Sequence, residues 1–252
     1  MAELSTTWRF PEVTPRRPER LSAAVVRDLI EMIVTGEIAE NDVLPPEGPL
    51  SDHFGVSRTV IREAMKRLEE KGLVVVAQGR GTQVARSAMW NVMDPTVLTA
   101  MIDNDESLGV LDELTIVRGN LESAMAGIVA TRRKPEELLR IEHALGTMRE
   151  AERESDASRQ ADALFHFTVM ELSRNRLAEN IAKNLYSHAL ESRRYQGVAY
   201  EDAFRLTLEE HTRVVDAISR QDAAGAEQAM RDHILGSWRQ RRYAGPAAES
   251  TD

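Results

Sequence analysis

The chain has 252 residues, 42% hydrophobic and 29% charged, a balance that supports globular packing, excludes wholesale disorder and leaves room for two domains. It has no cysteine, which excludes disulfide frameworks, thiolate zinc sites and cysteine nucleophiles, so any metal must be held by His, Asp or Glu. The net charge of -9 excludes a protein that coats nucleic acid indiscriminately, yet residues 57–86 carry seven basic side chains against three acidic ones, a local excess of four.

Residues 1–20 form a Pro/Arg-rich tail without the apolar run of a signal peptide or anchor, and the longest apolar run, 73–77, has strand length. A soluble cytoplasmic protein that makes no use of a membrane is expected. Val25, Leu29, Met32 and Ile33 recur at helical spacing and predict a first helix over 21–35, stopped at Gly36. Pro45 and Pro46 open a short second helix that buries Leu50 and Phe54 and ends at Gly55. Ser57 caps a third, running to about Lys71, with Val60, Ile61, Ala64, Met65 and Leu68 inward. Two β-prone runs, 73–78 and 82–86, joined by Gly79-Arg80-Gly81, read as a hairpin. Three helices and a hairpin in this order predict a winged helix-turn-helix over 21–86.

Residues 87–108 read as a linker with one short helix, in which Trp90, Val92 and Met93 call for a packing surface. Beyond it the pattern is helical over 96–102, 109–131, 135–153, 157–174, 177–194, 200–220 and 223–241, with short breaks that favour antiparallel neighbours. The expected fold is therefore mainly α: a winged helix-turn-helix, then an all-α antiparallel bundle over 109–241, with a frayed tail at 242–252.

A helix that reads DNA needs side chains on its solvent face that reach phosphates and base edges. Arg58, Arg62 and Lys66 form an i, i+4, i+8 stripe with Thr59 beside it, Ser57 and the free amides of the helix start can hold a phosphate, and Gly79-Arg80-Gly81 suits a wing tip on the DNA. An isolated basic stripe is more often only solvated; this one sits where a helix-turn-helix uses it.

The segments Leu44-Pro45-Pro46-Glu47, Gly55-Val56-Ser57-Arg58-Thr59, Ile61-Arg62-Glu63-Ala64, Lys71-Gly72-Leu73-Val74 and Gly79-Arg80-Gly81-Thr82-Gln83-Val84 resemble the GntR family of bacterial transcription regulators. The resemblance implies operator contacts from Ser57, Arg58, Thr59 and Arg62, and a wing tip at 79–81. One position departs: where the family commonly carries Arg after its Leu-Pro-x-Glu motif, this chain has Gly48-Pro49.

The six histidines are His53, His143, His166, His188, His211 and His233. Asp162 and His166, four apart on a predicted helix, share one face. His211 and His233 lie 11 residues to either side of Asp222, so in an antiparallel hairpin both sit about 16 Å from the turn, level with each other. One carboxylate and three imidazoles suit a divalent metal, zinc first, with nickel or manganese as alternatives. Any one of these histidines alone reads as structural.

Asp162-x-x-x-His166, Glu210-His211 and Asp232-His233 resemble the metal-binding pattern of the effector domain (FCD) in the FadR-like branch of the GntR family. By that resemblance a small carboxylate effector sits beside the metal, with Arg118 facing it; residues 90–98 resemble linkers of sugar-acid regulators. Arg174, Tyr186 and Tyr195 are further candidates for the pocket wall, whereas His143 and His188 fit no ligand position.

The expected function is a homodimeric regulator, a repressor relieved by its effector, that binds double-stranded operator DNA at inverted-repeat half-sites. Two alternatives stay open: a metal-dependent hydrolase with an appended DNA-binding domain, against which no general base or nucleophile motif is recognisable, and an architectural DNA-binding protein without an effector.

Overall fold

The computed structural model describes residues 18–77, 81–153, 155–191 and 203–243. The chain divides into two compact units that meet between Asn91 and Val92.

In the first unit, α1 (Pro18–Val34) buries Val25, Val26, Leu29, Ile30 and Ile33, a wider stripe than the sequence pattern marks, with Met32 only half-buried. Helix α2 (Glu47–Phe54) starts just after Pro46 and ends on Gly55 in the left-handed region at φ 63°. Helix α3 (Arg58–Glu70) is capped by Ser57 and buries Val60, Ile61, Ala64 and Leu68 against α1 and α2. Strands β1 (Val74–Ala77) and β2 (Gly81–Val84) pair antiparallel, Val74 opposite Val84.

Sequence periodicity does not reveal a third partner of this hairpin. The segment 41–44 runs along β2, with Asn41 N donating to Val84 O, Val84 N to Asp42 O and Leu44 N to Thr82 O at 2.8–2.9 Å. Those bonds place Pro45, Pro46 and Glu47 beside the hairpin. The start of the expected linker also belongs to this unit: a 3₁₀ turn (Ser87–Met89) leads to Asn91 N donating to Lys71 O at 2.9 Å, and Trp90 Nε1 donates to Ala85 O. Gly72 permits this closure, since its φ is 73° and a Cβ there would collide with the Met89 carbonyl oxygen.

The second unit is helical throughout its described residues: α4 (Pro95–Asn104), α5 (Gly109–Arg132), α6 (Pro135–Glu150), α7 (Asp156–Leu172), α8 (Arg176–Glu191), α9 (Ala203–Ser219) and α10 (Ala223–Tyr243). Helix α5 is central, packed along α10 and also against α7, α8 and α9. Its burial on several sides explains why its sequence shows no single apolar stripe and why twelve of its residues are buried, Arg118 and Glu122 among them. The main core joins α5, α6, α7, α9 and α10 through Val129, Ile141, Phe165, Val214, Ile218 and Met230. Helix α4 packs on α5 and α8 through Leu98, Ile102, Leu111 and Leu185. Between α9 and α10, Gln221 takes a positive φ and Asp222 accepts from Gly225 N at 2.9 Å, making the tight hairpin that sets His211 level with His233.

Candidate metal centre and DNA-reading face

Helix α7 projects Asp162 and His166 one turn apart, α9 contributes His211 and α10 contributes His233. One donor atom from each lies within 4.8 Å of the others, and all three histidines are buried. His233 Nε2 is 3.2 Å from His166 Nε2 and 3.0 Å from His211 Nε2, and Asp162 Oδ1 is 3.6 Å from His211 Nε2.

The outward nitrogens decide what the inward ones can do. Glu122 Oε2 meets His166 Nδ1 at 2.6 Å and Glu210 Oε2 meets His233 Nδ1 at 2.9 Å. A carboxylate only accepts, so an ionised Glu122 and Glu210 place the imidazole protons on Nδ1 and turn both Nε2 lone pairs inward. Two lone pairs 3.2 Å apart repel unless a cation lies between them. His211 is held differently, its Nδ1 at 3.2 Å from Met148 Sδ and its ring stacked on Phe165 at 4.1 Å. Tyr186 OH donates to Asp162 Oδ2 at 2.5 Å, which leaves Oδ1 facing the histidines.

The charge states favour a ligand set. Burial pushes His211 well below the ordinary imidazole range, and burial reinforced by the neighbouring His166 takes His233 down to about 3, so both are neutral donors at pH 7. Burial opposes ionisation of Asp162, but the three imidazoles outweigh it and hold the carboxyl below its usual value. Glu122 is likewise penalised by burial and rescued by Arg118 and His166, which lower it to about 2. Glu210 moves the other way, raised by burial.

Arg118 lies in the same buried network. Its Nε donates to Glu122 Oε1 at 2.7 Å and its guanidinium lies 4.1 Å from the centre of the Tyr186 ring. Arg118 is thus linked to His166 through Glu122 and to Asp162 through Tyr186. Arg174 does not join them: it is exposed and paired with Glu137 at 2.6 Å, because its left-handed backbone, φ 59°, turns the chain outward between α7 and α8. His143 is exposed, His188 Nδ1 is 3.4 Å from Thr99 Oγ1, and Tyr195 lies outside the described residues.

Glu122, Glu210, Tyr186 and Met148 support the four donors without being singled out for it by sequence spacing. Glu122 stands four residues after Arg118 and Glu210 immediately precedes His211; an acidic residue beside each motif was the available signal.

On the first unit, Arg58, Thr59, Arg62 and Lys66 are all exposed on α3, as is Ser57 at its cap, where Ser57 Oγ accepts from Val60 N at 3.4 Å. Arg62 is 70% exposed in its side chain but engaged, its Nε and Nη2 each donating at 2.9 Å to one carboxylate oxygen of Glu47. Gly81 opens β2, while Gly79 and Arg80 lie outside the described residues.

A winged helix with a basic helix face, followed by a helical bundle, is the arrangement of a DNA-binding transcription regulator. The description "Bacterial regulatory proteins, gntR family" matches residues 21–84 and "FCD domain" matches residues 113–236. The galactonate operon transcriptional repressor of Escherichia coli (strain K12) is 32% identical over 217 residues, covering 85% of this chain and 94% of that protein. The HTH-type transcriptional regulator LutR of Bacillus subtilis (strain 168) is 29% identical, covering 81% and 93%. A solved structure described as Lar, which controls the Listeria monocytogenes agr system, shares the fold at TM-score 0.56 and 15% identity, covering 91% of this chain and 98% of that one. The chain belongs to the gntR family of transcription regulators and carries an FCD domain. The proteins it matches are regulators, not enzymes, which decides against the hydrolase. No helix among the described residues is long and apolar enough to cross a membrane.

Proposed function

We propose that this protein is a cytoplasmic, homodimeric repressor that binds inverted-repeat operator DNA and is released by a small hydroxy-carboxylate held beside a divalent metal in the helical unit. The observation that carries the metal is the inward convergence of the His166 and His233 lone pairs, with His211 and Asp162 completing a four-donor set. Three imidazoles and one carboxylate without a thiolate fit zinc, with nickel and manganese as the alternatives. Bound there, the metal supplies a Lewis-acidic point of attachment for an effector oxygen.

The chain's own residues define the rest of the site. Arg118 offers a guanidinium whose fork matches a carboxylate, and Tyr186 stacks against it. The galactonate repressor among the relatives supports a sugar acid as effector. On the DNA side, Ser57, Arg58, Thr59, Arg62 and Lys66 read or grip the operator, and Gly79, Arg80 and Gly81 form the wing tip. The effector acts only insofar as it binds the DNA-competent and DNA-incompetent arrangements unequally.

The test uses a duplex enriched from a randomised pool by the wild-type protein. Arg58→Ala and Arg62→Ala each weaken its binding, and galactonate weakens it only for metal-loaded protein. Unchanged binding by both variants overturns the reading helix. Elemental analysis that finds less than one metal per chain after purification without chelator and reloading overturns the metal centre.

A further inference from the structure

The reading helix and the start of α2 meet at one ion pair. Glu47, first residue of α2, receives both Nε and Nη2 of Arg62, each at 2.9 Å. The pair is side-on: it engages the Nε edge of the guanidinium and leaves both hydrogens of Nη1 and the second hydrogen of Nη2. That remaining edge is a two-pronged donor, the shape that matches the O6 and N7 acceptors of guanine. One turn earlier on the same face, the Arg58 guanidinium passes 3.4 Å from where a Cβ on Gly48 would begin. Two consecutive residues of α2 therefore lie against two arginines of α3.

We infer that Glu47 is a positioning residue for operator reading, holding Arg62 so that its free edge addresses a base. This deepens the assignment of α3 as the reading helix and rests on it. An acidic side chain on a DNA-facing surface repels phosphates, so its presence weakens general attraction to the duplex. In exchange, an arginine fixed before binding forfeits less side-chain entropy when it meets a guanine and is less able to swing onto any nearby phosphate. Glu47 thereby trades affinity for selectivity. The segment 41–44, bonded along β2, fixes where Glu47 stands.

The experiment compares Glu47→Gln, Arg62→Ala and the double variant, each binding the pool-enriched duplex and a scrambled duplex of the same composition over a range of salt. Glu47→Gln is expected to bind the scrambled duplex as well as or better than wild type, with the ratio of enriched to scrambled affinity reduced by about tenfold. Its salt slope becomes steeper by up to about one unit, as Arg62 becomes available to phosphate. In the Arg62→Ala background the Glu47→Gln change costs no further selectivity. Arg62→Ala that leaves the ratio intact overturns the reading-helix assignment and the positioning role with it. Arg62→Ala that loses selectivity while Glu47→Gln keeps it, or a Glu47→Gln loss that persists without Arg62, overturns the positioning role alone.

Discussion

Replacing Glu122 by Gln keeps the shape of the side chain and removes its charge from between Arg118 and His166. Both ion-pair contacts, 2.7 Å to Arg118 Nε and 2.6 Å to His166 Nδ1, are buried, with side-chain exposures of 3% or less. Removing one partner of a buried pair costs about 3–5 kcal/mol, and the amide oxygen of Gln, still able to accept one hydrogen bond, puts the change near the lower end. An independent route agrees: a carboxyl lowered from 4.5 to about 2 contributes roughly 3 kcal/mol to the folded state. At about 2–4 °C per kcal/mol for a unit of this size, the melting temperature of the helical unit falls by about 6–12 °C. The assay is calorimetric unfolding of chelator-treated protein between pH 7 and pH 3. Because the folded pKa of Glu122 lies below the unfolded value, its contribution is complete above about 4.5 and is lost as pH falls toward 2, so the gap between wild type and variant narrows on acidification. A gap below about 2 °C at pH 7, or one that stays constant down to pH 3, would refute the assigned charge network.

His211→Ala and His233→Ala each leave the protein without stoichiometric metal by elemental analysis, and the rise in melting temperature that zinc gives the wild type disappears in both. The metal-free wild type loses stability as pH falls below about 6.5: the unfolded chain protonates its histidines there, whereas buried His233 resists down to about 3, and calorimetry should show proton uptake on unfolding at pH 5. Gly72→Ala meets the Met89 carbonyl in a left-handed backbone, so the first unit is destabilised by about 2 kcal/mol or more, read as a lower denaturant midpoint with the helical unit unaffected. Asp94→Ala removes the cap that accepts from Thr96 N and Val97 N and costs about 1 kcal/mol.

Local signals were strong where one element carries them. The Ser57 cap, the Gly55 and Gly72 stops and the four-residue step from Asp162 to His166 all lie within a turn or two of what they control, and the observed helices begin and end within a few residues of the pattern. The equal spacing of His211 and His233 about Asp222 was legible because a tight hairpin converts sequence distance into height. What crosses between distant elements was not. Glu122 reaches His166 over 44 residues and Met148 reaches His211 over 63, and periodicity holds no record of either. The stripe of Arg58, Arg62 and Lys66 marked a face, but the engagement of Arg62 by Glu47 depends on how α2 docks on α3. Likewise the 41–44 segment contains too few residues to announce itself as a partner of β2.

The centre draws its donors from α7, α9 and α10 and their supports from α5 (Glu122), α6 (Met148), α8 (Tyr186) and α9 (Glu210). Every helix from α5 to α10 thus contributes an atom to one small volume, and the last donor in the sequence, His233, stands on α10. During synthesis no nascent chain short of α10 can assemble the full donor set, so an ion held by all four would mark a domain whose helices have already come together.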